Sequence, residues 1–132
     1  MTEFLHVRRA DGTLLPLKAR RCSTFLCRLR GLTFRRPLAT DEALLFMEVV
    51  ESRIATAIHM FFVFFSIGVV WMSKDGVVVD KALARPFRPY YAPQKPAKYY
   101  LEGVPDLLTW VSVGERLTFE PVQESRTPLR VD

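Results

Sequence analysis

A chain of 132 residues, 49% of them apolar, makes one ordinary domain with enough core to need no metal or disulfide staple, so a second domain is not expected. Two cysteines, Cys22 and Cys27, and two histidines, His6 and His59, are too few for the usual zinc spacings, and neither a metal nor another cofactor is expected. The net charge of +5 is uneven: residues 1–36 carry nine basic and two acidic side chains, while the other 96 residues carry ten and twelve. A basic third of this kind either attracts phosphate or anionic lipid or is a solvated face.

The first twelve residues, Met1 to Gly12, place charges where an export signal needs an unbroken apolar stretch, so a cytoplasmic protein is expected. Phe4 to Arg9 and Thr13 to Arg20 read as two strands, because Asp11-Gly12 between extended runs is a strong hairpin signal. Residues 23–30 predict a short helix: Ser23 or Thr24 can cap it, Phe25, Leu26 and Leu29 share a face, and Gly31 suits its end. If residues 22–31 are helical, a separation of five sets Cys22 and Cys27 about 140° apart around the axis, poorly placed to bridge or to share a metal, and buried or inert thiols are expected.

Ala43 to Val50 is the next apolar run, interrupted by Glu51-Ser52-Arg53. Residues 54–72 then carry no formal charge. As one helix they would be about 28 Å long, near the ~30 Å hydrocarbon thickness of a bilayer. They divide better into strands: Thr56 to Phe65 alternates two side-chain sets, Ser66-Ile67-Gly68 reads as a turn, and Val69 to Ser73 resumes in strand formers. Lys74-Asp75-Gly76 adds a second hairpin signal before Val77-Val78-Val79, which a membrane helix leaves unexplained.

Residues 85–98 hold four prolines and predict an extended, stiff connection that Phe87, Tyr90 and Tyr91 pack over one end of the sheet. Long connections inside compact domains are often functional, so a ligand is sought there first. The compact domain is expected to span residues 1–120, with 121–132 as a tail lacking clear periodicity.

Arg28-Leu29-Arg30-Gly31-Leu32-Thr33-Phe34-Arg35 resembles a signature of the bacterial and archaeal family called domain of unknown function 192. Leu44-Leu45-Phe46, Ile58 to Phe62 with Val69 to Met72, Asp75-Gly76-x-Val78, Tyr99 to Glu102 and Val113 to Leu117 resemble further segments of that family in the same order. The resemblance covers residues 8–120 and implies a compact, mostly β domain with small helices, a bacterial source and no assigned activity. Where the family carries Pro, an aliphatic residue and Asp, this chain has Ser66-Ile67-Gly68, and the acidic side chain is missing.

The expected fold is therefore mostly β: seven or eight short strands in an antiparallel, barrel-like or strongly curved sheet, one N-terminal helix, and a turn of helix near Asp106 to Trp110. The expected role is a non-enzymatic binding or accessory module for a small ligand or a protein, as a monomer or weak homodimer. Its pocket is sought near His59, the 85–98 connection and Glu102, with Trp71, Arg35, Tyr90 and Tyr91 as further binding candidates. No nucleophile elbow, phosphate-cradling loop or paired-glycine fingerprint is present, so no residue is assigned a catalytic role. The competing readings are a small hydrolase or transferase using His59 and Glu102, or failing that Asp80, as acid and base, and an adaptor for nucleic acid or an anionic surface through the basic third.

Overall fold

The computed structural model describes residues 4–22, 38–60, 62–88 and 90–122. Along the chain these form β1 (Phe4–Arg8), β2 (Leu14–Arg21), β3 (Glu42–Ser52), β4 (Ile67–Met72), β5 (Val78–Ala84), β6 (Ala97–Gly103), α1 (Leu107–Trp110) and β7 (Thr118–Pro121). The strands make one sheet in the order β5-β4-β6-β3-β2-β1-β7. The predicted helix at residues 23–30, with the arginines at 28, 30, 35 and 36, lies outside the described residues, as do residues 123–132 of the expected tail. The turn of helix near Asp106 is α1.

Both predicted hairpins form on glycines whose φ is positive. At the β1–β2 turn Gly12 has φ 90°, and the Asp11 carboxylate accepts hydrogen bonds from the Thr13 backbone and hydroxyl at 2.9 and 2.6 Å. Those two bonds hold the Asp11 carboxyl below its ordinary range. At the β4–β5 turn Gly76 has φ 82°, and a Cβ there would meet Leu117 O at 2.7 Å, so the turn also lets the next segment approach.

Two parts of the expected sheet are corrected. The pairing is mixed: β2 and β3 run parallel, Lys18 opposite Glu42 through Arg21 opposite Leu45, while every other neighbouring pair is antiparallel. Residues 22–41 separate them, longer than the dozen or so that a parallel crossover requires. Nor is the sheet a closed barrel. Its edges, β5 and β7, have no continuous ladder between them; Val77 bridges Arg116 in the segment leading into β7.

The sheet is covered on both faces. Leu5, Val7, Leu17, Leu45, Val70, Met72 and Leu101 belong to one buried cluster with Leu107 of α1, and Leu44, Phe46, Val69, Trp71 and Tyr100 belong to a second with Ile58, Met60 and Val63. All six residues of β4 are buried, because neighbours on both sides and cover on both faces leave it no solvent side. That burial accounts for the uncharged residues 67–72, and among the described residues no helix is long and apolar enough to cross a membrane. Phe46 and Tyr100, paired across β3 and β6, stack at 4.6 Å with planes 4° apart.

The reading of residues 56–68 is also corrected. Ile67 and Gly68 are strand residues, not a turn; Gly68 is buried, and a Cβ on it would stand 2.9 Å from Val104 O. The glycine admits the chain entering α1. Among the described residues, those of 56–65 form no strand of the sheet. The Ser52 hydroxyl accepts from the backbone of Ile54 and Ala55, Thr56 donates to Ser52 O, and the chain turns away to pair with the 85–96 connection.

Cys22 is buried, as expected, but disulfide-bonded, which corrects the expectation of thiols too poorly placed to bridge; the chain's other cysteine, Cys27, lies outside the described residues. Lys81 on β5 reaches across to donate to Leu108 O at 2.7 Å and Val111 O at 2.8 Å, meeting carbonyls left open at the end of α1. Replacing Lys81 with Met keeps the stem and removes the clamp. The expected cost is about 1–2 kcal/mol, read as a lower urea midpoint with an unchanged slope.

Candidate functional surface

The 53–66 and 85–96 segments are joined by backbone hydrogen bonds. Ile58 and Tyr91 exchange a pair at 2.8 and 2.9 Å, Met60 N donates to Arg88 O at 2.9 Å, and Met60 O accepts from Phe87 N at 2.9 Å and Val63 N at 3.2 Å. Arg53 Nε donates to Pro93 O, and the Asp80 carboxylate accepts from Gln94 N, fixing the connection to its flanks. The buried residues Ile58, Met60 and Val63 anchor this double layer on the second cluster.

From that anchored layer three phenylalanines face outward. Phe62, Phe64 and Phe87 are 50%, 59% and 46% exposed, and Phe87 meets the other two rings edge to face at 6.1 and 5.1 Å. Phe62 and Phe87 have φ of 57° and 62°, a left-handed conformation costing roughly 1–2 kcal/mol for such side chains. Surrounding contacts must over-determine it, and the Met60 hydrogen bonds do so on both sides.

The sequence-predicted residues distribute unevenly over this region. His59 is exposed, between Ile58 and Met60 on the paired segments, and Tyr90 is exposed beside it on the partner segment. Tyr91 is half-buried against the second cluster, and its hydroxyl accepts from Arg85 N at 3.0 Å. Phe87 and Tyr90, expected to pack the connection down, instead point out; Tyr91 alone of the three packs against the cluster. Trp71 is wholly buried and donates its Nε1 proton to Thr56 O at 2.7 Å, so its indole locks the start of the loop onto the core. Arg35 lies outside the described residues.

Glu102 is placed inside the domain. It sits on β6 opposite Leu44 and Val69, sharing their face, and is buried. Desolvation pushes its carboxyl up to about 8, so at neutral pH it is mainly protonated. No described side chain, His59 included, donates a hydrogen bond to it. The expected acid–base pair is therefore not assembled: one member is exposed on a loop, the other is buried in the sheet and holds its own proton. Asp80 is engaged by the backbone of Lys81 and Gln94.

A cavity of about 110 Å³ opens where β4 and β6 meet, lined by Leu38, Phe65, Ser66, Ile67, Gly103, Val104 and Pro105. Its volume falls well below the roughly 300–1,000 Å³ of ordinary small-molecule sites. Ser66 supplies its one polar side chain. Of the basic third, Arg8 is paired with Glu120 at 2.7 Å and Arg9 approaches Glu115 at 3.5 Å, so two of its cations already face carboxylates. The exposure of Phe62 and Phe64 escaped sequence reading because in an uncharged run they resemble core, and Phe87 was expected to pack down over the sheet. The usable signal was two long segments, 52–74 and 81–101, that both lack Asp and Glu.

The family model described as Uncharacterized ACR, domain of unknown function 192, matches residues 6–119. A UPF0127 protein of Thermococcus kodakarensis is 35% identical over 120 residues, covering 89% of this chain and 74% of its own. A UPF0127 protein of Pyrococcus furiosus is 33% identical over 108 residues, covering 80% and 90%. Both relatives are archaeal, so the bacterial source expected from the resemblance finds no support in them. The fold is similar to a Sinorhizobium meliloti protein described as a proposed transcription regulator, with a TM-score of 0.76, 22% identity, and coverage of 90% of this chain and 94% of that one. At that identity the likeness shows a shared fold alone. With the sheet, the loop pair and these matches together, the chain belongs to the domain of unknown function 192 family.

Proposed function

We propose that this chain is a non-enzymatic binding module whose contact surface is the platform built by residues 53–66 and 85–96. The observation that carries the reading is the outward display of Phe62, Phe64 and Phe87 on a backbone held in a conformation unfavourable for two of them. Strained backbone and exposed large apolar side chains both lower stability or solubility, and such features concentrate at sites of contact. His59 and Tyr90 lie on the same two segments and add polar edges to the surface. An acid–base role for His59 and Glu102 is set aside in this reading because His59 is exposed while Glu102 is buried.

The test uses 8-anilinonaphthalene-1-sulfonate, an anionic aromatic probe, with the native protein. Saturable fluorescence enhancement is expected, reduced at least fivefold in a Phe62→Ser, Phe64→Ser, Phe87→Ser variant whose far-ultraviolet dichroism and melting cooperativity match the parent. Equal enhancement by parent and variant, or none by the parent, would remove the platform as the binding surface.

A further inference from the structure

We infer that the platform docks on an anionic lipid surface, a claim that rests on the proposed binding surface and adds its partner. The rings form one contiguous apolar knob, since Phe87 touches both Phe62 and Phe64 edge to face. Phenylalanine has no polar handle to keep it at a wet contact, and all three rings are roughly half exposed. Beside them stand Arg85 and Arg88, exposed and without an ion pair among the described residues, with Lys95 exposed further along the same segment.

Neither segment carries an acidic residue of its own: no Asp or Glu occurs between Glu51 and Asp75 or between Asp80 and Glu102. The Asp80 carboxylate reaches the second segment at Gln94 N, while Arg85 and Arg88 face no carboxylate partner among the described residues. Apolar rings flanked by unneutralised cations match the boundary of an anionic leaflet, where rings enter the acyl region and guanidinium groups meet phosphate. A second copy of the chain fits less well: a two-fold contact through this face would set the arginines against one another without a carboxylate between them. Nucleic acid also fits less well, because stacking bases need open ring faces and the edge-to-face contacts put ring edges of one Phe against faces of another.

The experiment is co-sedimentation of the full chain with vesicles of phosphatidylcholine containing 30% phosphatidylglycerol, against vesicles of phosphatidylcholine alone. Partitioning is expected to be at least tenfold stronger with the anionic lipid and to weaken as salt is raised. The Phe62→Ser, Phe64→Ser, Phe87→Ser variant is expected to lose at least tenfold. Arg85→Gln with Arg88→Gln is expected to lose several-fold on anionic vesicles with little change on neutral ones. Absence of anionic-vesicle binding by the parent, or equal binding by the phenylalanine variant, overturns the lipid assignment. So does a concentration-dependent dimer, or salt-sensitive single-stranded DNA binding, that the phenylalanine variant abolishes while vesicles stay unbound. If the anionic dye binds the platform and vesicles do not, the surface stands and the lipid falls.

Discussion

Glu102→Gln is expected to make the protein more stable at pH 8 than its parent, and no more stable at pH 4. An ordinary glutamate titrates near 4.5, whereas burial moves the folded carboxyl up to about 8. Between those values the native state keeps a proton that the unfolded chain has released, so unfolding is increasingly favoured as pH rises. The parent's stability from this group is fully present below about pH 4.5 and is lost as pH climbs through about 8. A shift of that size corresponds to something on the order of 5 kcal/mol. Glutamine is nearly isosteric, does not titrate, and removes that dependence. Urea unfolding of both proteins from pH 4 to 9 measures the difference directly, cancelling the titration of all other groups. A difference that stays flat would mean the carboxylate is charged and satisfied in the folded protein.

The second large effect is expected at Gly68, where the resembling family carries Asp. A Cβ there stands 2.9 Å from Val104 O, 3.2 Å from Leu108 Cγ and 3.4 Å from Leu107 Cβ. The nearest atom belongs to the backbone, so relief requires α1 and its lead-in to move. Gly68→Ala should cost about 1–3 kcal/mol by overpacking. Gly68→Asp adds a carboxyl against Leu107 and Leu108, and the total should exceed about 3 kcal/mol. Thermal melting of both variants checks the order, with Asp below Ala and Ala below the parent. If Asp were as stable as the parent, α1 would have to sit farther from β4 than it does here.

Local chemistry made some of the fold legible in the sequence. Asp11-Gly12 and Asp75-Gly76 marked both hairpins because positive φ is a property of the residues at the turn itself. The turn of helix at Leu107–Trp110 and the short strand runs around Leu44 and Leu101 were visible for the same reason. What escaped depends on distant partners. The parallel match of β2 with β3 leaves no trace in either strand, and β4 lacks alternation because it is buried on both faces, so its first residues passed for a turn. Thr56 to Phe65 alternated like a strand while pairing with a proline-rich loop. Glu102 was visible as a charge interrupting an apolar run, but its burial and the exposure of Phe62, Phe64 and Phe87 follow from the tertiary cover above the second cluster. His59, Tyr90 and Tyr91, named from sequence, lie on the two paired loop segments, whereas Trp71 is buried in the core, since a buried indole and an exposed one read alike.

The first and last strands lie side by side, and Val122 N donates to Phe4 O at 2.9 Å. Both described ends of the polypeptide therefore leave through one doorway next to β7. The loop pair follows the far end of β5, beyond Ala84, whereas the contact toward β7 is made at its beginning, near Val77.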